Sequence, residues 1–118
     1  MRRLYFALDL KDDPALIAEY ERWHRPGQIW PEVVAQLRAA GVRELEILRC
    51  GTRLIMVMEV PDEFSAADQP ALAGGSSPDW EELMWRFQQP LPFAQKGEKW
   101  VPMKRIFSLM EAQKEQVK

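Results

Sequence analysis

The chain has 118 residues and a formal net charge of −2; hydrophobic residues make up 47% of it and charged residues 29%. This balance is typical of a globular protein rather than a disordered one, and the length predicts a single domain over residues 1–118. No block of lysine and arginine and no apolar run of roughly 20 residues is present, so we expect no nucleic-acid partner and no membrane partner.

The cysteine content and the start of the chain restrict the kind of site and the compartment that we expect. Cys50 is the only cysteine, which excludes an intrachain disulfide and a multi-cysteine metal site. The apolar start of the chain is interrupted by Asp9 and followed by charged residues at 11–13, which is not the pattern of a signal peptide. We therefore expect a cytoplasmic protein with no metal site.

The first elements are a strand and a helix. Residues 3–10 predict a strand, because their side chains point alternately to two sides and both sides carry apolar residues. Asp13 followed by Pro14 predicts the start of a helix, with the aspartate as its cap. Tyr20 and His24 lie on the apolar stripe of this helix and are one turn apart, so they are neighbours on its half-buried face.

A second helix and a pair of strands follow. The Pro-Gly pair at positions 26–27 breaks the first helix, and Pro31 begins the next one. Residues 43–49 and 53–60 predict two strands joined by a hairpin turn. The second strand is apolar except for Glu59, whose carboxylate faces either solvent or a polar cavity because its burial without a partner would be costly.

The remaining elements are a loop, a helix, a strand and a tail. Residues 61–78 predict a loop. Apolar side chains at helical spacing predict a helix over residues 80–89. Residues 100–109 alternate weakly and predict a last strand, and residues 109–118 form a polar C-terminal tail, frayed or helical.

The order of elements predicts the fold class. If the first two helices form one layer, the order is βαββαβ, which is that of a ferredoxin-like α+β sandwich with helices on one face of an antiparallel sheet. The first strand and the hairpin are also apolar on their other face. We therefore expect a second copy to pack on that face, giving a homodimer and a dimeric α/β barrel.

One sequence block resembles a known family. Tyr20-x-x-x-His24, followed by Ile-Trp-Pro-Glu at residues 29–32, resembles the L-rhamnose mutarotase family, some of whose members act on L-fucose. Weaker similarities extend over most of residues 3–109. The resemblance implies a ferredoxin-like homodimer with no cofactor that binds a monosaccharide. It also implies that His24 donates a proton and that Tyr20 binds the sugar.

The sequence departs from the family pattern at two places. Leu45 stands where members that act on rhamnose can carry a second tyrosine. Leu83 and Met84 stand where such members can carry paired tryptophans, which here flank that position as Trp80 and Trp85. These departures leave the reaction class that the resemblance implies unchanged. It is that of an aldose 1-epimerase, which interconverts the α and β anomers of a 6-deoxy-L-hexose. The departures favour L-fucose over L-rhamnose.

Mutarotation needs groups that move protons and groups that hold a sugar. His24 titrates near neutrality, and we expect the C-terminus of its helix to favour its protonated form. The second proton-transfer group stays open between four residues: Tyr20, Asp9, Glu46 and Glu59. The predicted substrate-binding side chains are Tyr20, Trp30, Glu59, Trp80 and Trp85.

Two other kinds of protein fit the same pattern of elements. The first is a small dimeric-barrel monooxygenase or haem-handling enzyme, and the second is a non-catalytic sugar-binding domain. From spacing alone, His24 could also be a structural histidine on an apolar stripe. The fold does not separate these functions, whereas the Tyr20–His24 block favours the mutarotase.

Overall fold

The structure is a computed structural model that describes residues 1–65 and 78–116. Its elements, in chain order, are β1 Arg2–Leu10, α1 Pro14–Trp23, α2 Pro31–Ala39, β2 Glu44–Cys50, β3 Arg53–Val60, α3 Pro78–Trp85, β4 Gln88–Gln89, β5 Val101–Pro102 and α4 Leu109–Gln116. Each helix in these ranges is too short or too polar to cross a bilayer. Most of the predicted loop over residues 61–78 lies outside the described residues.

The strands form one antiparallel sheet in the order β2-β3-β1-β4, with β5 also pairing with β1. In the central pairings, Met56 of β3 lies opposite Phe6 of β1 and Ile47 of β2. This confirms the α+β class with a ferredoxin-like antiparallel sheet.

The register divides the sheet into two faces. Directly paired residues point to the same side of a sheet, so Phe6, Ile47 and Met56 share one face. We call it the inner face, because Leu54 on the same side of β3 packs in one cluster with Tyr20 of α1. The opposite side, which we call the outer face, carries the alternate residues of β1, β2 and β3.

Local signals fix the first helix and the break after it. The Asp13 carboxylate accepts hydrogen bonds from the backbone N–H groups of Ala15 and Leu16, at 2.9 and 3.2 Å. This satisfies two donors that the first turn leaves free. The chain turns at residues 24–28, where Gly27 has φ of 84°, a conformation that costs a residue with a Cβ considerably more.

Two predicted elements have different bounds in the structure. The predicted helix over residues 80–89 ends at Trp85, and Gln88–Gln89 is a strand instead. The reason is tertiary pairing: the Phe87 carbonyl accepts from the N–H of Lys11 at 2.8 Å, which draws the chain onto the end of β1. Pairing with a neighbouring strand therefore outweighs the helical spacing of the apolar side chains.

The predicted last strand over residues 100–109 is only two residues long. β5 covers Val101–Pro102, and the N–H of Met103 makes one further bond to the Tyr5 carbonyl at 2.8 Å. Pro102 has no N–H to continue the ladder, which weakens pairing at this point. The chain then leaves the sheet and forms α4. Residues 103–110, which we call the C-terminal arm, expose five apolar side chains: Met103, Ile106, Phe107, Leu109 and Met110.

Candidate active site

A cavity of about 130 Å³ lies between the inner face and helices α1, α2 and α3. One water needs roughly 10–15 Å³ of such space, so the cavity has room for a small molecule. Its walls are mainly apolar, for example Val33 of α2 and Met56 of β3. Five polar side chains interrupt this apolar lining: Tyr20, His24, Glu81, Gln88 and Lys99. Apolar walls with a few converging polar groups are typical of a small-molecule site.

His24 ends α1 and is held by a backbone hydrogen bond. Its Nδ1 lies 2.7 Å from the Tyr20 carbonyl oxygen. A carbonyl oxygen can only accept, so Nδ1 is the nitrogen that carries a proton and donates it. The other nitrogen, Nε2, is then free of a proton in the neutral ring. The ring also lies 4.4 Å from the Tyr20 ring and 5.7 Å from the Trp80 ring, centroid to centroid.

The protonation of His24 differs from the sequence-based expectation. Burial lowers the pKa of His24 below its usual value, and the hydrogen bond to the Tyr20 carbonyl opposes this only in part. The expected preference of the helix C-terminus for a protonated ring is therefore outweighed by desolvation. A neutral ring with Nδ1 protonated presents Nε2 as a proton acceptor, which suits a general base, whereas the family resemblance implied that His24 donates a proton.

Tyr20 is buried in the cavity wall, with 3% of its surface exposed. Its hydroxyl accepts a hydrogen bond from the Gln88 side-chain amide at 3.2 Å. Burial raises the pKa of Tyr20 to about 12; the Gln88 hydrogen bond opposes this rise and the charge of Glu81 adds to it. The phenol therefore keeps its proton at neutral pH. It is suited to donating a hydrogen bond to a ligand and poorly suited to transferring the proton.

Gln88 carries an unpaired polar atom. The residue is 3% exposed, and its Oε1 has no hydrogen-bond partner within the described part of the chain. A buried acceptor left in this state costs about 1–3 kcal/mol. A hydroxyl of a bound ligand would satisfy it. Gln88 therefore indicates that the cavity binds a polar molecule.

Lys99 and Glu81 form a buried ion pair in the same wall. Lys99 is 5% exposed, and its ammonium group contacts the Glu81 carboxylate of α3. Burial lowers the pKa of Lys99, and the hydrogen bond and charge of Glu81 oppose this. The ammonium also lies 4.7 Å from the centre of the Trp85 ring, within the range of a cation–π interaction.

Of the predicted binding residues, two line the cavity and two pack behind its lining. Tyr20 and Trp80 line it together with His24. Trp30 packs edge-on against Trp80, with ring centroids 5.2 Å apart, and so supports the wall from outside. Trp85 lies behind Lys99 in the same way. These two tryptophans are a second layer around the site.

The carboxylates proposed from the sequence do not reach the cavity. Glu59 lies on the outer face, where one of its oxygens is 3.9 Å from the Arg3 guanidinium. Asp9 and Glu46 lie on the outer face as well, opposite Arg53 and Val57. Of the four candidates for the second proton-transfer group, only Tyr20 lines the cavity. The sequence gives the alternation of each strand but not which face the helices cover.

Among the polar and tryptophan side chains of the cavity, four were not predicted from the sequence: Glu81, Gln88, Lys99 and Trp100. Glu81 directly follows Trp80, which was predicted to bind the sugar. This adjacency is the one sequence signal that could have indicated Glu81. Gln88 and Lys99 have no such signal, because their burial depends on long-range contacts with β1 and α3.

Metal ligands are not clustered in the structure. Within residues 1–65 and 78–116, no three side chains of His, Cys, Asp or Glu come together in a group that could hold a metal ion. The polar groups of the cavity are thus an imidazole, a phenol, an amide, a carboxylate and an ammonium. This set can bind hydroxyl groups and can transfer protons.

Comparisons with known proteins agree with this chemistry. The sequence model of the L-rhamnose mutarotase family matches residues 3–109. An L-fucose mutarotase from Xanthomonas campestris pv. campestris is 54% identical over 114 residues, which cover 95% of this chain and 91% of that protein.

Two solved structures share the fold. A crystal structure of an L-rhamnose mutarotase from Formosa agariphila has a TM-score of 0.66 at 21% identity, covering 92% of this chain and 99% of that chain. A type-II polyketide cyclase from Streptomyces glaucescens, tetracenomycin F2 cyclase, has a TM-score of 0.54 at 16% identity, covering 92% and 96%. At these identities the likeness concerns the fold alone, which evidently carries more than one chemistry.

Proposed function

The chain belongs to the L-rhamnose mutarotase family, and from this premise we propose that it interconverts the α and β anomers of L-fucose in the cavity that His24 lines. The enzyme is an isomerase that acts on sugar anomers. The observation that carries the assignment to this cavity is the hydrogen bond from Nδ1 of His24 to the Tyr20 carbonyl. It fixes the tautomer in which Nε2 can take a proton from a sugar hydroxyl.

The reaction requires only proton transfers. In the proposed mechanism, Nε2 of His24 accepts the proton of the anomeric hydroxyl, the bond between C1 and the ring oxygen breaks, and the ring oxygen takes up a proton from a second group. The open-chain aldehyde rotates about its C1–C2 bond, and the ring closes with C1 attacked on its other face. The residues of this chain bind the sugar, hold its orientation and move the two protons.

The other cavity residues suit the binding of a 6-deoxy sugar. Tyr20 donates a hydrogen bond from its buried hydroxyl, and the free Oε1 of Gln88 accepts one from the sugar. Trp80 offers a ring to a sugar face. The methyl group at C6 lies against apolar side chains such as Leu45, which lines the cavity. Trp30 and Trp85 keep the wall in place, and Glu59 has no part in this cavity.

L-fucose is the substrate that the similarities favour. The 54% identical relative is named an L-fucose mutarotase, and its alignment covers 95% of this chain. In addition, the apolar side chain of Leu45 stands where family members that act on rhamnose can carry a second tyrosine. The preference for fucose therefore rests on one relative and on one position in the wall.

We further propose that the enzyme is a cytoplasmic homodimer joined through the outer face. Two side chains support this: Tyr5 and Leu48 are both exposed on that face although they are large and apolar. The C-terminal arm adds further exposed apolar surface. Light scattering at micromolar concentration should give twice the 13.8 kDa of one chain. A mass equal to one chain would contradict the dimer.

Saturation-transfer NMR tests the activity. Irradiation of the α anomeric proton of L-fucose should reduce the β signal when the protein is present and much less when it is absent. L-rhamnose, D-glucose and D-galactose serve as the comparison panel. Equal exchange with and without protein for every sugar would defeat the proposal, and binding of L-fucose without faster exchange would favour the non-catalytic sugar-binding domain. Family membership favours the isomerase over the monooxygenase and haem-handling alternatives.

A further inference from the structure

We propose that Lys99 is the catalytic acid that protonates the ring oxygen of the sugar, and that Glu81 positions it. The inference rests on the proposed function, since it assigns the second proton-transfer group of that reaction. It starts from three observations: both side chains line the cavity that holds His24, Lys99 is almost fully buried, and its ammonium group contacts the Glu81 carboxylate.

A purely structural role does not account well for this pair. Lysine is rarely buried to this extent, and a buried ion pair is often no more stabilising than apolar side chains of similar volume. The cavity that Lys99 lines is otherwise mainly apolar, with Met84 and Trp100 in the same lining, and would accept such a replacement. A cation placed against a ligand cavity instead of an apolar group therefore indicates an interaction with the ligand.

The other polar groups are less suited to giving a proton. The phenol of Tyr20 is a weaker acid than an ordinary tyrosine, because burial raises its pKa to about 12. The Glu81 carboxylate is occupied as the acceptor of its contact with the Lys99 ammonium group. The amide of Gln88 does not ionise. Lys99 carries protons that can be transferred, and burial makes it a stronger acid than an exposed lysine because it lowers the pKa of Lys99.

The step balances in protons and electrons. In ring opening, Nε2 of His24 takes the proton of the C1 hydroxyl, whose oxygen becomes the aldehyde oxygen. The bond between C1 and the ring oxygen breaks, its electron pair stays on that oxygen, and the ring oxygen takes a proton from Nζ of Lys99. The products are an imidazolium, a neutral amine and the open-chain sugar. In ring closure the amine takes its proton back from the C5 hydroxyl and the imidazolium returns a proton to the oxygen on C1.

Glu81 and Trp85 hold the amine where this exchange takes place. The Glu81 carboxylate contacts the Lys99 head group, and the centre of the Trp85 ring lies 4.7 Å from Nζ. Both contacts stabilise the charged form and so offset part of the cost of its burial. The ammonium is thus regenerated after each proton transfer, which a reversible reaction requires.

Replacement of Lys99 by arginine separates proton donation from positive charge. A guanidinium can still pair with Glu81, but it does not lose a proton in proteins. We expect Lys99→Arg to lower the rate of L-fucose anomer exchange by about 10²–10⁴-fold, the usual contribution of positioned proton transfer. The matched control is Lys96→Arg, an exposed lysine in the same turn, which should keep the parent rate.

A second variant provides a readout that a structural role would not change. In Lys99→Ala, added propylammonium should raise the exchange rate in proportion to its concentration, because it can supply the missing acid. The same salt should not raise the rate of His24→Asn. Circular dichroism checks that each variant is folded; if Lys99→Ala does not fold, the arginine variant decides alone because it keeps the charge.

The outcomes distinguish this inference from the proposed function. A parent rate in folded Lys99→Arg would show that charge and not proton transfer matters, and would overturn the assignment while the mutarotase activity stands. A folded Lys99→Ala with no loss of rate, or with a loss that propylammonium does not reverse, would overturn it as well. An unmutated protein that fails to accelerate exchange would overturn the proposed function and this inference together.

Discussion

The inner and outer faces of the sheet both carry apolar residues in the sequence, but they differ in the structure. Over residues 4–10 and 54–60 the inner face is entirely apolar, whereas the outer face mixes apolar and charged side chains. On the inner face, Leu54 and Met58 are buried, and the polar groups that contact the cavity come from helices, from loops and from the short strand β4. On the outer face, the three carboxylates proposed from the sequence, Asp9, Glu46 and Glu59, lie outside the cavity, and Tyr5 and Leu48 are exposed. Periodicity thus shows which residues share a face, while the covering helices decide which face holds the site.

The largest expected difference between the two faces is in activity. His24→Asn should keep the fold and lose about 10²–10⁴-fold of the L-fucose exchange rate, because it removes a positioned proton-transfer group. Glu59→Gln on the outer face is the control and should exchange anomers at the parent rate. Saturation-transfer NMR on both variants measures this. A folded His24→Asn with full activity would mean that His24 only packs in the wall, and His24→Gln would repeat the test if the first variant does not fold.

The next difference is in stability. Leu54→Ala, on the inner face and 1% exposed, should reduce the free energy of unfolding by about 2–5 kcal/mol through lost burial and the cavity left behind. Leu48→Ala, on the outer face and 54% exposed, should change the stability of one chain far less. Urea denaturation of both variants at a protein concentration low enough to give single chains provides the comparison. Similar losses for the two leucines under that condition would contradict the difference in burial between the two faces.

The two tyrosines of the chain give a smaller and very clean contrast. Tyr20→Phe removes one hydrogen bond to the sugar and should weaken binding by about 0.5–1.5 kcal/mol, seen as a higher KM for L-fucose with a smaller change in kcat. Tyr5→Phe alters the outer face in the same way chemically and should leave KM unchanged. If both variants raise KM equally, the hydroxyl of Tyr20 is not the group that contacts the sugar.

The smallest expected difference between the two faces is in the pH dependence of the exchange rate, which His24 should determine and Glu59 should not. Because burial lowers the pKa of His24, the exchange rate should be full at neutral pH and fall only below about pH 6.5, the ordinary histidine value. The same lowering of the pKa makes the free energy of unfolding depend on pH. The contribution of neutral His24 to stability is complete above the pKa of His24 in the unfolded chain, and it is lost as the pH falls through the lower pKa of His24 in the folded chain. A Glu59→Gln profile should overlay the parent. A fall in activity that begins above pH 7 would contradict the buried, neutral imidazole.

Local sequence signals account for one part of the site. The Asp13-Pro14 start, the Pro-Gly break and the helical spacing of Tyr20 and His24 were enough to predict that these two side chains share one face of α1. Each signal acts within a few residues, and the structure follows it. The protonation of His24 was not predicted correctly, because desolvation depends on α3 and on Trp80 packing beside the ring.

Long-range contacts account for the other part. Gln88 enters the wall because residues 88–89 pair with the end of β1, a contact between segments about 80 positions apart in the chain. Lys99 is buried because Glu81 and Trp85, on a helix that precedes it, contact its head group. In the sequence Gln88 lies at the end of a helical pattern and Lys99 in a charged turn. Neither position indicates burial, so no local pattern could have assigned them to the site.

The state of the His24 ring is the central claim, and nitrogen NMR measures it directly. His24 is the only histidine, so protein labelled with ¹⁵N-histidine gives one pair of ring signals. At neutral pH the account predicts a protonated Nδ1 and an unprotonated Nε2, and the Nε2 signal should shift when L-fucose is added. An imidazolium at neutral pH, a proton on Nε2 in the neutral ring, or a pair of signals that does not respond to L-fucose would contradict it.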